Sequence, residues 1–143
     1  MFLGEYQHSV DDKGRLVLPS KFRDRLKAGL VVTKGQERCL YVFPMERWDE
    51  EVARVNRLPR TDKRARNYAR TFFGSASDQT LDRQGRVVLP QALRDYAGVD
   101  GEAVVVGVGE RVEIWDTDAW ESLSAEADEL FSGIEESLSE EGI

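Results

Sequence analysis

Asp11-Asp12-Lys13-Gly14-Arg15-Leu16-Val17-Leu18-Pro19-Ser20-Lys21-Phe22-Arg23-Asp24 returns later in the chain as Asp82-Arg83-Gln84-Gly85-Arg86-Val87-Val88-Leu89-Pro90-Gln91-Ala92-Leu93-Arg94-Asp95. Gly, Arg, Val, Leu, Pro, Arg and two Asp recur in step. After a one-residue insertion the match resumes: Leu40-Tyr41-Val42-Phe43 ending in Trp48 parallels Val112-Glu113-Ile114-Trp115 ending in Trp120. In-phase agreement of this kind marks a tandem duplication.

Each copy has the same local grammar. A short strand leads into Asp-x-x-Gly-Arg, where the glycine supplies the positive φ of a tight turn. Leu16-Val17-Leu18 and Val87-Val88-Leu89 are short β-forming runs. Pro19 and Pro90 stop the strands and serve as first residues of short helices, their φ being preset. Phe22 with Leu26, and Leu93 with Ala97, give each helix one apolar stripe. Gly29 and Gly98 mark the helix C-termini. Hairpins follow, Leu30–Thr33 to Leu40–Phe43 through 34–38, and Ala103–Val108 to Val112–Trp115 through 109–111. Helices beginning near Pro44 and near Asp118 close the copies.

The organisation is therefore a first repeat at 1–50, a helical connection at 51–76, a second repeat at 77–120, and an acidic helix with a fraying end at 121–143. Pro59 is the one break in the connection. Trp120, Leu123, Ala127, Leu130 and Ile134 follow helical spacing, a stripe suited to the chain's own domain or a neighbouring subunit. Gly133 and the Ser/Glu-rich end from Glu135 are expected to fray. A unit of roughly 45 residues is too small to bury a core alone. The two units must complete one another, in a mixed α+β but mainly β fold: one small barrel or sandwich with a pseudo-two-fold axis and flanking helices.

Charge is unevenly divided. The 143 residues carry 20 Lys/Arg against 27 Asp/Glu, a formal net charge of −7. Only Arg111 among the cations lies beyond residue 100, whereas the span from 101 onward is rich in Asp and Glu. The basic excess concentrates at Arg54, Arg57, Arg60, Lys63, Arg64, Arg66 and Arg70, against Asp62. That stretch suits either a solvated helical face or a phosphate-facing one.

Composition excludes several classes. The chain is 41% hydrophobic and 33% charged, which is globular. No apolar run approaches the ~18 residues of a membrane span, and no secretory signal is visible. The single cysteine, Cys39, fits a reducing compartment and excludes an intrachain disulfide or a Cys-based zinc cluster. His8 is the only histidine, so neither a Ser-His-Asp nor a Cys-His set has support, and it reads as a strand or surface residue. Gly107-Val108-Gly109 reads as part of a hairpin, not a phosphate loop. Asp116, Asp118 and Glu121 suit a helix N-terminus as well as a hard cation. Trp48, Trp115 and Trp120 suit a core or interface. No catalytic residue, metal site or cofactor is expected.

The repeated turns point elsewhere. Arg is the side chain best shaped to meet guanine O6 and N7 in the major groove, and a two-stranded ribbon fits that groove. Arg15 and Arg86 follow equivalent turn glycines, Gly14 and Gly85, and are the candidate base readers. Asp11 and Asp82 would cap the turns or orient the arginines. Lys13 and Arg83 suit phosphate contact. The opposing reading of Arg15 and Arg86 is an ion pair with the turn aspartate. Arg23 and Arg94, beside Asp24 and Asp95, read as structural residues of the helix surface.

Asp-x-x-Gly-Arg, three apolar residues and Pro, then a short Arg-bearing helix, resembles the signature of AbrB-like, SpoVT-type swapped-hairpin DNA-binding domains. Two copies on one chain of this length resemble the MraZ family. Phe2-Leu3-Gly4-Glu5-Tyr6 and Tyr68-Ala69-Arg70-Thr71-Phe72-Phe73-Gly74-Ser75-Ala76 are also similar to that family. The resemblance implies a double-split β-barrel of two pseudo-symmetric repeats. It further implies a homo-oligomeric ring of octamer or dodecamer size, and repression through double-stranded DNA at short direct repeats upstream of its own operon. A cytoplasmic, nucleoid-associated protein with no membrane partner is expected. The alternative is an antitoxin-like protein-interaction module of the same fold.

Overall fold

The computed structural model describes residues 1–134 together with Leu138 and Gly142. The first half runs β1 (Phe2–Ser9), β2 (Arg15–Val17), a 3₁₀ turn at Ser20–Phe22 leading into α1 (Arg23–Leu26), β3 (Leu30–Lys34), β4 (Leu40–Pro44) and α2 (Met45–Asn56). After α3 (Lys63–Gly74) the series repeats as β5 (Ser77–Gln79), β6 (Arg86–Val88), α4 (Gln91–Ala97), β7 (Glu102–Gly109), β8 (Arg111–Asp116) and α5 (Thr117–Gly133).

The two halves exchange strands. A six-stranded antiparallel sheet has the order β1-β7-β8-β4-β3-β5, and β2 pairs with β6 in a separate ribbon. β1 pairs with β7 of the other half, from Phe2↔Gly109 to Ser9↔Glu102. β5 pairs with β3, Leu30↔Gln79 to Val32↔Ser77. Exchanging β1 with β5, β3 with β7 and β4 with β8 maps the strand order onto itself. The internal two-fold therefore passes between β4 and β8, and it also relates the strands of the ribbon. No closed barrel forms among the described strands, because β1 and β5 lie at opposite sheet edges. The architecture is layered, with strands as its main element.

Alternation along the strands sends side chains to both sheet faces. Leu30, Val32, Leu40, Val42, Ala103, Val105, Val112 and Ile114 face Leu16, Leu18, Val87 and Leu89 of the ribbon, with Phe22, Leu26 and Leu93 between them. On the other face Val104, Val106 and Trp115 pack with Cys39, Trp120 and Leu123. Phe43, Val55 and Phe72 pack there with Trp48, Tyr68 and Phe73. Trp48, half-buried, thus packs against the core, stacked 5.5 Å from Phe72, and Trp115 lies 5.7 Å from Trp120. Burial on both faces explains why β3 reads as a continuous apolar run. Its one buried polar residue, Thr33, donates to the Phe72 carbonyl at 2.6 Å and so ties the end of α3 to the sheet.

Several boundaries differ from the sequence expectation. Pro19 and Pro90 are the N-caps, in extended conformation, not the first helical residues. Gly98 is the left-handed C-cap of α4, whereas the C-cap of α1 is Lys27, ahead of Gly29. The connection is two helices, broken around Pro59, with the Asp62 side chain capping α3 through the Arg64 amide. In α5, capped by Asp116, the apolar stripe divides: Trp120 and Leu123 pack on the domain, while Leu130 and Phe131 stand exposed. The helix continues through Gly133, where fraying was expected, and the expected fraying from Glu135 concerns residues outside those described. His8 sits half-buried on β1.

Cys39 is buried, and desolvation pushes its thiol pKa up to about 12. The thiol therefore stays protonated at pH 8, where an unfolded cysteine is partly thiolate. A thiol reagent at pH 8 should label the native chain on the order of a hundredfold more slowly than the chain in denaturant. Equal labelling rates would contradict this placement.

Candidate nucleic-acid interface

Each repeated turn is closed by the same bonds. The Gly14 amide donates to the Asp11 carbonyl at 3.0 Å, and the Asp11 amide to the Arg15 carbonyl at 3.0 Å. The second turn repeats this between Gly85 and Asp82 (3.0 Å) and between Asp82 and Arg86 (3.1 Å). Gly14 has φ 79° and Gly85 φ 73°, so each turn ends in a left-handed glycine. The aspartate side chain completes the loop. Asp11 Oδ1 accepts from the amides of Lys13 (3.0 Å) and Arg15 (2.8 Å). Asp82 Oδ1 accepts from those of Gln84 and Arg86, both at 2.9 Å.

The second carboxylate oxygen holds the arginine. Arg15 Nε donates to Asp11 Oδ2 at 2.6 Å, and Arg86 Nε to Asp82 Oδ2 at 2.7 Å. Arg86 Nη1 also stands 4.0 Å from Asp11 Oδ2, so both guanidinium groups gather at one carboxylate. The ion pair weighed against base reading is therefore present. It engages Nε, and no hydrogen bond to a protein acceptor involves the Nη groups of Arg15 or Arg86 among the described residues. The side chains keep 33% and 22% of their surface exposed. Backbone hydrogen bonds from Arg15 and from Arg86, helped by the guanidinium charges, hold the carboxyls of Asp11 and Asp82 below the usual aspartate range.

The ribbon fixes which way these groups point. Arg15 pairs with Val88, Leu16 with Val87, and Val17 with Arg86. Leu16 and Val87 are fully buried, so alternation turns Arg15, Val17, Arg86 and Val88 to the outer face. The two arginines sit diagonally there, and Val88 is 47% exposed. Lys13 and Arg83 are exposed at the turn tips and carry no ion pair among the described residues.

Arg23 and Arg94 have a role that their sequence setting did not reveal. Arg23 donates through Nε and Nη2 to the Leu18 carbonyl at 3.1 and 3.0 Å, and Arg94 Nε to the Leu89 carbonyl at 2.9 Å. Each lies against the glycine of the other repeat. A Cβ on Gly14 would stand 2.8 Å from Arg94 Nε, and one on Gly85 would run into the Arg23 guanidinium. Main-chain bonds cross the same way, Leu18 N to Gly85 O at 3.0 Å and Leu89 N to Gly14 O at 2.7 Å. These arginines are structural, but they lie half-buried between repeats instead of on the open helix surface. Gln79 is a second residue missed. Its side-chain amide donates to the Val88 carbonyl at 2.9 Å and its carbonyl accepts from the Val88 amide at 2.8 Å, in the manner of a neighbouring strand.

The MraZ family model, described as "MraZ protein, putative antitoxin-like", matches residues 1–71 and again 72–140. The chain belongs to the MraZ family. It is 54% identical to the protein named "Transcriptional regulator MraZ" of Salinispora arenicola, over 96% of this chain and 97% of that one. The proteins of the same name from Salinispora tropica and Thermobifida fusca are 53% and 48% identical, each over 96% of this chain and over 97% and 96% of their own lengths. Among the described residues of this MraZ-family chain, no group of three or more His, Cys, Asp or Glu is placed to hold a metal ion, and no helix is long and apolar enough to cross a membrane.

Two outcomes follow from the turn geometry. Alanine at Gly98, where φ is 68° and space is open, should cost the left-handed penalty of about 1–2 kcal/mol in urea denaturation. Gly85→Ala should cost at least about 1 kcal/mol more, because the Arg23 guanidinium must also move; equal costs would remove the crossing from the account. Carboxyl NMR should show Asp11 and Asp82 titrating below an unstructured aspartate. Their contribution to stability is complete above the unfolded pKa and is lost as pH falls through the lower native values. Titration at the ordinary value would mean that the turn bonds do not persist in solution.

Proposed function

We propose that this chain is a sequence-specific, DNA-binding transcriptional regulator that represses its own operon from direct repeats upstream of it, acting in the cytoplasm at the nucleoid. The observation that carries this reading is the ribbon's outer face, where duplicated aspartates orient duplicated arginines through Nε and, among the described residues, no hydrogen bond engages the arginines' Nη groups. Arg15 and Arg86 read guanine edges. Lys13 and Arg83 contact phosphate, and Asp11, Gly14, Asp82 and Gly85 set the turns. The name of the similar proteins, transcriptional regulator, supports the same reading. On the fold, we infer the double-split barrel of the resemblance, with the β2–β6 ribbon as the layer that meets DNA.

A three-residue ribbon strand reaches few bases. Several protomers in a ring of octamer or dodecamer size would engage spaced repeats together, with effective concentration supplying affinity that one protomer lacks. No cofactor, metal or catalytic step enters this function. A second reading, a protein-binding module, is favoured by the antitoxin-like wording of the family description. Capture of a protein partner from nuclease-treated lysate, with no shift of upstream DNA, would support it instead.

In a gel shift with the region upstream of its own gene, Arg15→Ala combined with Arg86→Ala should abolish the specific complex while circular dichroism and mass stay unchanged. Each lost bidentate contact is worth about 1–3 kcal/mol per site. Wild-type affinity should fall linearly in log–log form with added salt. A folded double variant that still binds, or binding insensitive to salt, would overturn the assignment.

A further inference from the structure

Two surfaces of the protomer are unsatisfied and match each other. The first is a groove of about 250 Å³ where α2 meets α3. Leu58, Pro59, Ala65 and Ala69 line it, and Arg60, Arg66 and Arg70 rim it, with no carboxylate in its wall. Leu58 is 37% exposed. Arg66 donates to the Arg60 carbonyl and Arg70 to Asn67, so neither guanidinium meets an acid. A larger neighbouring groove of about 620 Å³ is less suited, because its Arg54, Arg64 and Arg111 already pair with Glu51, Asp62 and Glu113.

The second surface is the distal part of α5. Trp120 and Leu123 anchor the helix to β7 and β8. Beyond them Leu130 is 61% and Phe131 80% exposed. Glu126, Asp128 and Glu129 lie alongside, and no Lys or Arg occurs anywhere in α5. By the internal two-fold α5 corresponds to α2, and Val55 of α2 packs against Phe72 of α3. Among the described residues, Phe131 of α5 has no such apolar cover.

We propose that the distal part of α5, led by Phe131 and Leu130, docks into the Arg60/Arg66/Arg70 groove between α2 and α3 of a second copy of this chain. The aromatic ring seats on the apolar floor, in the manner of an interface anchor. Asp128 and Glu129 meet the arginine rim, and opposite charge selects the register. The two surfaces are different patches of one protomer, so the contact is head-to-tail and either closes as a ring or extends as a filament. The inference rests on the multivalent part of the proposed function, and it supplies that part with an interface.

The test is the mass of the full chain by sedimentation, with two probes: DNA carrying one repeat and DNA carrying several. Phe131→Asp should raise the concentration for half-assembly by about tenfold or more. Arg66→Glu with Arg70→Glu should do the same. Adding Asp128→Arg and Glu129→Arg to the latter pair should restore assembly. Phe131→Asp should bind the single-repeat probe as wild type does and lose affinity only on the multiple-repeat probe. Wild-type mass in both one-sided variants overturns the interface, as does a monomeric wild type. Unchanged mass with loss of the single-repeat complex in Arg66→Glu/Arg70→Glu also overturns it, and assigns the groove to phosphate. Failure of the DNA reading shows separately, as an unchanged shift in the Arg15→Ala/Arg86→Ala variant at wild-type mass.

Discussion

The crossing of the two glycine bends is the constraint on which this structure depends. Each bend offers its carbonyl to the other repeat's strand end, and each lies beneath the other repeat's helix arginine. A side chain at either position would separate the strands of the ribbon. Without the ribbon, Leu16, Leu18, Val87 and Leu89 would leave the sheet, and its inner face would open. The exchange of β1 and β5 between halves makes the same demand at the sheet edges. Neither half holds a core by itself, which follows from the size of the unit.

The bend also separates two kinds of arginine. Arg23 and Arg94 spend their donors on main-chain carbonyls at the strand ends and hold the repeats together. Arg15 and Arg86 hydrogen-bond the turn carboxylates through Nε, and Arg86 Nη1 adds only a 4.0 Å ion pair with Asp11. A guanidinium fixed by Nε cannot swing, so less rotamer freedom remains to be lost when its other donors find partners. On the proposed reading, the carboxylate thereby prepares the cation for a second acceptor. It also cancels part of the charge, so recognition as proposed would lean on geometry, with Lys13 and Arg83, exposed and without an ion pair among the described residues, at the tips.

The duplication, the positive-φ glycines, the hairpins and the apolar helix stripes were legible because each rests on local chemistry. A repeated Gly-Arg after Asp has few local solutions, and strand alternation places Arg15 outward once Leu16 is inward. Layering was not legible. β3 buries both faces, and a run of four buried residues carries no period to tell a barrel wall from the middle of a sandwich. The contact of Arg23 with Gly85 joins positions far apart in sequence, and the helical setting of Arg23 placed it on the open surface instead. Gln79 resembles any strand-end polar residue until its amide is seen bonded to both main-chain groups of Val88.

The two repeats have also diverged where equivalence is not required. The core positions of the ribbon stay apolar in both, since the shared core penalises change at either. The turn tips do not: Asp12-Lys13 in one faces Arg83-Gln84 in the other. The outer valines differ as well, Val17 being half-buried and Val88 exposed. Gln79 pins the second strand, and its equivalent in the first half is His8, which makes no such bond among the described residues. The ribbon therefore presents a surface that is two-fold in backbone and not two-fold in chemistry. On the proposed reading, such a face would have a direction on the duplex. Head-to-tail repetition of protomers preserves direction from one copy to the next, whereas a two-fold dimer would reverse it. Direct repeats, unlike inverted ones, would match the geometry of the proposed head-to-tail assembly.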